Sequence, residues 1–73
     1  MRDLGSNIYS YRKMNNLSQE DLAVIVGVSA GAVSKWERGI SVPDVDILIR
    51  LADYFNVSVD YLLERTDVRN YKK

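Results

Sequence analysis

The groups best suited to binding a partner lie in Ser18-Gln19 and in the run Ser29-Ala30-Gly31-Ala32-Val33-Ser34-Lys35, with Arg38 and Ser41 beyond it. Their chemistry is recognition. Hydroxyls, a side-chain amide and two long cations can donate hydrogen bonds to an anionic or polar partner. Helix N-termini add backbone N–H groups and a dipole that favours an anion. Catalysis has no comparable foothold. The chain contains no histidine and no cysteine, and no phosphate-cradling glycine loop or convergent carboxylate pair is evident. No enzymatic activity, metal or cofactor is expected, and no small-molecule ligand is evident.

Two short helices and a tight turn would hold these residues in place. Ser18 is a good helix N-cap, and Asp21 three residues on is the acidic partner of a capping box. Leu22, Ile25 and Val26 recur at helical spacing. Gly27 ends this helix, since reversing the chain there needs a positive φ. Ser29 caps the next helix, whose inward residues are Val33 and Trp36. Ala23, four before Gly27, has no bulk and lets the second helix cross closely. The unit reads as a helix-turn-helix. With Val33 and Trp36 turned inward, Ala30, Gly31, Ser34 and Lys35 form the outward face.

Three further helices complete an all-α reading. Leu4, Ile8 and Tyr11 mark a first helix from about Asp3 to Met14, broken by Asn15-Asn16. Gly39-Ile40-Ser41-Val42-Pro43 is a loop, with Asp44 the next N-cap. Val45, Leu48, Leu51, Ala52 and Phe55 trace a fourth helix, and Ser58 caps a fifth that runs to about Glu64. Residues 1–64 form the expected domain; residues 65–73 are a basic tail expected to be flexible. Trp36 and Tyr11 belong to the core.

Seventy-three residues suit one small domain, near the lower limit for folding without staples. The absence of cysteine fits a reducing compartment. No apolar run nears the ~18 residues of a membrane span, and no signal layout opens the chain. A cytoplasmic location is expected, with no membrane partner. The formal charge is zero, but it is unevenly spread: residues 44–64 carry one basic and five acidic side chains, and residues 65–73 four basic and one acidic. That leaves the helix-turn-helix half near neutral and implies modest non-specific affinity for nucleic acid.

In order and spacing, Leu4…Ile8…Arg12, Leu17-Ser18-Gln19, Leu22-Ala23, Gly27-Val28-Ser29, Val33-Ser34-x-Trp36-Glu37-x-Gly39, Pro43, Leu51-Ala52 and Val57-Ser58-Val59-Asp60-Tyr61-Leu62 resemble the phage-repressor/Cro-like (Xre-type) helix-turn-helix family. The resemblance implies a compact five-helix, lambda-repressor-like domain whose third helix enters the major groove, with paired domains reading two half-sites. It implies that Gln19, with Ser18, grips a phosphate. It also implies that Arg12 of the first helix pairs with Glu37 of the third in a partly buried, structural salt bridge that orients Arg12 toward the DNA backbone. Ser29, Ala32, Arg38 and Ser41 complete the expected phosphate contacts, and Ala30, Gly31, Ser34 and Lys35 face the bases.

Two departures stand out. Long amides or arginines usually occupy the positions of Ala30 and Gly31, and lysines those of Ile40 and Val42. Either the small residues let the helix sit deeper, leaving Lys35 as the best base contact, or the face contributes little discrimination. Gly31 within a helix costs roughly 1 kcal/mol relative to alanine, which hints at a reason for it. Ile40 and Val42 weaken the phosphate grip and can instead mark a contact between subunits; the fifth helix and the tail holding Tyr71 are other candidates. The expected function is a sequence-specific, double-stranded-DNA-binding transcriptional regulator, a repressor acting as a homodimer on operator DNA. The alternative is a protein-interaction module that keeps the fold with weak or no DNA binding.

Overall fold

Each of the last four helices starts where a short, oxygen-bearing side chain can accept a free backbone N–H. The computed structural model describes residues 4–63. Its helices are α1 (Leu4–Met14), α2 (Gln19–Val26), α3 (Ala30–Glu37), α4 (Val45–Phe55) and α5 (Val59–Leu62). Ser18, Ser29, Asp44 and Ser58 accept the amides of Asp21, Ala32, Ile47 and Tyr61 in turn. Asp21 returns the bond: its carboxylate accepts the Ser18 N–H at 3.0 Å, which closes the capping box. The stops are left-handed residues, Asn16 after α1, Gly27 after α2, Gly39 after α3 and Asn56 after α4.

The helices enclose one core. Ile8, Leu22, Val26, Val33, Leu51 and Leu62 are fully buried, and Ala23, Trp36, Ala52, Phe55 and Val57 nearly so. Tyr11 stacks on Phe55 at 5.2 Å between ring centroids and packs against this core. α3 packs chiefly on α2 and α1, while α4 packs on α2 and α5. Two polar ties cross the assembly. The buried Asn7 amide donates to the Leu62 carbonyl at 2.8 Å, and Arg50 donates to the Val26 carbonyl at the end of α2 at 3.1 Å.

Two local expectations are corrected. Ile25 is 40% exposed, because the buried stripe of α2 runs through Leu22, Ala23 and Val26 and leaves Ile25 at its margin. α5 ends at Leu62, with Leu63 as its cap, rather than near Glu64. Asp3, Glu64 and the basic tail 65–73 lie outside the described residues. Among those described, no helix is long and apolar enough to cross a membrane.

Candidate nucleic-acid interface

The turn between α2 and α3 is set by a handful of backbone bonds. Gly27 sits at φ +81°, and its amide and that of Val28 both donate to the Ala23 carbonyl, at 2.8 and 2.9 Å. Ala23 is buried, and its methyl group adds little bulk where α2 packs into the core. Val33 and Trp36 anchor the underside of α3. From the other side α1 approaches so closely that a Cβ on Gly5 would overlap the Trp36 carbonyl oxygen. Gly5 escaped the sequence reading, although a glycine inside a helical pattern is itself a sign of close packing.

Beneath the junction of α1, α2 and α3 lies a polar network. Arg12 Nε donates to Glu37 Oε2 at 2.7 Å and Nη2 donates to Oε1 at 3.1 Å, a two-pronged ion pair. Arg12 Nη1 donates to the Leu17 carbonyl at 2.8 Å, and the guanidinium lies over the Tyr9 ring. The hydrogen bond to Glu37 raises the Arg12 pKa above its ordinary value against the opposing effect of burial, so the guanidinium stays charged. Only 9% of the Arg12 side chain and 6% of the Glu37 side chain are exposed. Arg12 is thus brought against Glu37, with three of its N–H groups engaged inside the fold.

Gln19 extends the network to the surface. Its Nε2 donates to Glu37 Oε1 at 3.0 Å. One N–H of the amide is thereby held, and Gln19 itself is half-buried. Ser18 and Ser29 are exposed, and each hydroxyl accepts a backbone amide while keeping its own hydrogen for a partner. The first turn of α2 also carries Glu20 and Asp21. The Ser18 backbone and hydroxyl hold the Asp21 carboxyl below its usual range.

The outer side of α3 is sparsely furnished. Gly31, Lys35 and Arg38 are exposed, and Ser34 is half-buried. Arg38 Nε folds back to the Ser34 hydroxyl at 3.2 Å, which places both on one surface. Ala30 and Ala32 are half-buried and pack against the core, so they present methyl groups at the edge of this face rather than at its centre. Ser41 is exposed in the loop after α3, where the amides of Ile40 and Ser41 return to the Lys35 carbonyl. Ile40 and Val42 point to solvent, 60% and 74% exposed. The structure thus gathers Ser18, Gln19, Ser29, Gly31, Ser34, Lys35, Arg38 and Ser41 around the α2–α3 unit. It turns Arg12 and Glu37 beneath it.

Comparison with known proteins gives a consistent picture. The helix-turn-helix family pattern matches residues 8–62. Control protein C.SmaI of Serratia marcescens is 43% identical over 70 residues, covering 92% of this chain and 80% of that protein. Repressor protein C2 of Salmonella phage P22 is 38% identical over 61 residues, which is 84% of this chain but 28% of that protein. The crystal structure of the P22 c2 repressor in complex with a synthetic operator superposes with a TM-score of 0.84 at 35% identity, covering 90% of this chain and all of that one. SinR in complex with DNA gives a TM-score of 0.73 at 32% identity, covering 81% of this chain and 95% of that one.

Proposed function

The chain belongs to the helix-turn-helix family, and from that premise we propose that it is a sequence-specific DNA-binding transcriptional regulator, a repressor that occupies operator DNA as a homodimer. It reads the major groove of double-stranded DNA with α3 and carries out no bond-making chemistry. Residues 1–64 constitute the DNA-binding domain, and the protein works in the cytoplasm. Lys35 reaches the base edges from the middle of the exposed face, with Ser34 and Gly31 beside it. Gln19, Ser18, Ser29, Arg38 and Ser41 hold the flanking phosphates, and Ala30 and Ala32 supply apolar contact. The acidic residues on and around α4 repel DNA from that part of the domain and so help to orient it.

One observation carries this reading: the outward side of α3 is uncovered while its underside is fixed by α1 and α2. Phosphate contacts position such a domain and base contacts give it specificity. Two domains related by a two-fold axis would place their α3 helices about 34 Å apart, one turn of the duplex.

Selection of bound duplexes from a random pool tests the proposal. The expected outcome is an enriched, symmetric site bound with an affinity that falls as salt rises, with a slope of about −0.9 per neutralised phosphate. No enrichment together with a flat salt response would overturn it in favour of a protein-interaction module.

A further inference from the structure

The chain has four glycines, and the fold accounts for three of them. Gly27 and Gly39 hold φ values of +81° and +76°, where L side chains are strained. Gly5 sits under α3, where a Cβ would overlap the Trp36 carbonyl oxygen. Gly31 meets neither condition. It lies in the regular helix α3 at an ordinary helical φ, and the nearest atom a Cβ would meet is the Ser29 hydroxyl oxygen at 3.8 Å, ordinary contact distance. Alanine would fit there without moving anything. It would also restrict the unfolded chain and favour the helix. The folded monomer therefore gains nothing from this glycine and gives up stability by keeping it.

A residue that the monomer disfavours has its reason outside the monomer. Gly31 is exposed on the same face as Ser34 and Lys35, three and four residues on, at the spacing that makes helical neighbours. Lys35 can extend or swing aside. A Cβ on Gly31 cannot, because it is fixed to the backbone. We propose that Gly31 is a specificity-determining residue of the DNA interface, left bare so that the backbone of α3 lies in van der Waals contact with base edges in the major groove. The inference rests on the DNA-reading function above and deepens it. Discrimination at this point comes from shape: base steps that fit against a bare helix are admitted, and those that project further are not.

The test compares the parent with Gly31→Ala. Thermal unfolding without DNA should show the variant more stable by about 2–8 °C, which also establishes that it folds. Its affinity for the duplex enriched by the parent should fall by about tenfold or more, while its affinity for an unrelated duplex of equal length stays level. Selection repeated with the variant should enrich a different base at one position of each half-site. The inference is overturned if the variant binds the parental site as tightly and selects the same sequence, or if its melting temperature falls. A parent that enriches no duplex would defeat the DNA-reading function itself and this inference with it. A parent that enriches a site the variant reads equally well would defeat this inference alone.

Discussion

The two sides of α3 follow opposite rules. Its underside is saturated: Val33 and Trp36 are buried, Glu37 is held by Arg12 and Gln19, and α1 comes within contact of its backbone at Gly5. Its outer side carries Lys35, Ser34 and the bare Gly31, with Arg38 at its C-terminal end, and the fold covers none of these fully. The underside is where the chain fixes the position and tilt of the helix. The outer side is where it leaves room for something else. Substitutions beneath α3 should therefore lower stability first, whereas those above should change binding without lowering stability.

The sharpest way to break that contrast is Glu37→Ala. It would strand the Arg12 charge in a nearly closed site, and the loss on urea unfolding should be about 3–5 kcal/mol. A value below about 1 kcal/mol would mean that solvent reaches Arg12 and that the underside is not closed. Gly5→Ala should destabilise by about 1–3 kcal/mol, because the added methyl must push α1 away from the α3 backbone. Placed beside Gly31→Ala, the same change on the other side of the helix, it should shift the melting temperature in the opposite direction.

On the outer side, Lys35→Ala should leave the melting temperature unchanged. Binding measured against a panel of single-base variants should weaken by about 1–3 kcal/mol, and the preference at one position should relax. Gln19 stands on the seam between the two sides. Gln19→Ala should weaken binding to all sequences by a similar amount, about 0.5–1.5 kcal/mol, because a phosphate contact carries no sequence information.

The smallest expected effect is a pH dependence at the start of α2. The Ser18 amide and hydroxyl favour the ionised Asp21 carboxylate, so its folded pKa lies below its unfolded one. The contribution to stability is present above about pH 4, the unfolded value, and is lost as pH falls through the folded value. Asp21→Asn should flatten that part of the acid branch of a melting curve series.

Much of this was legible in the chain because the signals are local. A serine or aspartate accepts an amide three residues on, so Ser18, Ser29, Asp44 and Ser58 announce their helices without reference to the rest of the molecule. The left-handed turn at Gly27 follows from the residue type and its place between two apolar runs. Period and spacing also marked Val33 and Trp36 as inward and Gly31 and Lys35 as outward. The family resemblance added the partnership of Arg12 and Glu37, which lie 25 residues apart and share no local pattern.

Side-chain direction at the margins was not legible. Ile25 follows the same three-and-four spacing as its buried neighbours, yet it lies partly in solvent, since the crossing of α3 and α4 over α2 decides which stripe is covered. Arg12 could be read as facing the nucleic acid or the core. Its three inward bonds exist because α1 and α3 converge at Gly5 and bring Glu37 and the Leu17 carbonyl around one guanidinium. The ties from Asn7 to Leu62 and from Arg50 to Val26 likewise join residues 55 and 24 positions apart. Helix ends and faces depend on interactions within about four residues, which a linear pattern can encode. Bonds between distant residues depend on how helices cross, and that angle is set by the whole core together.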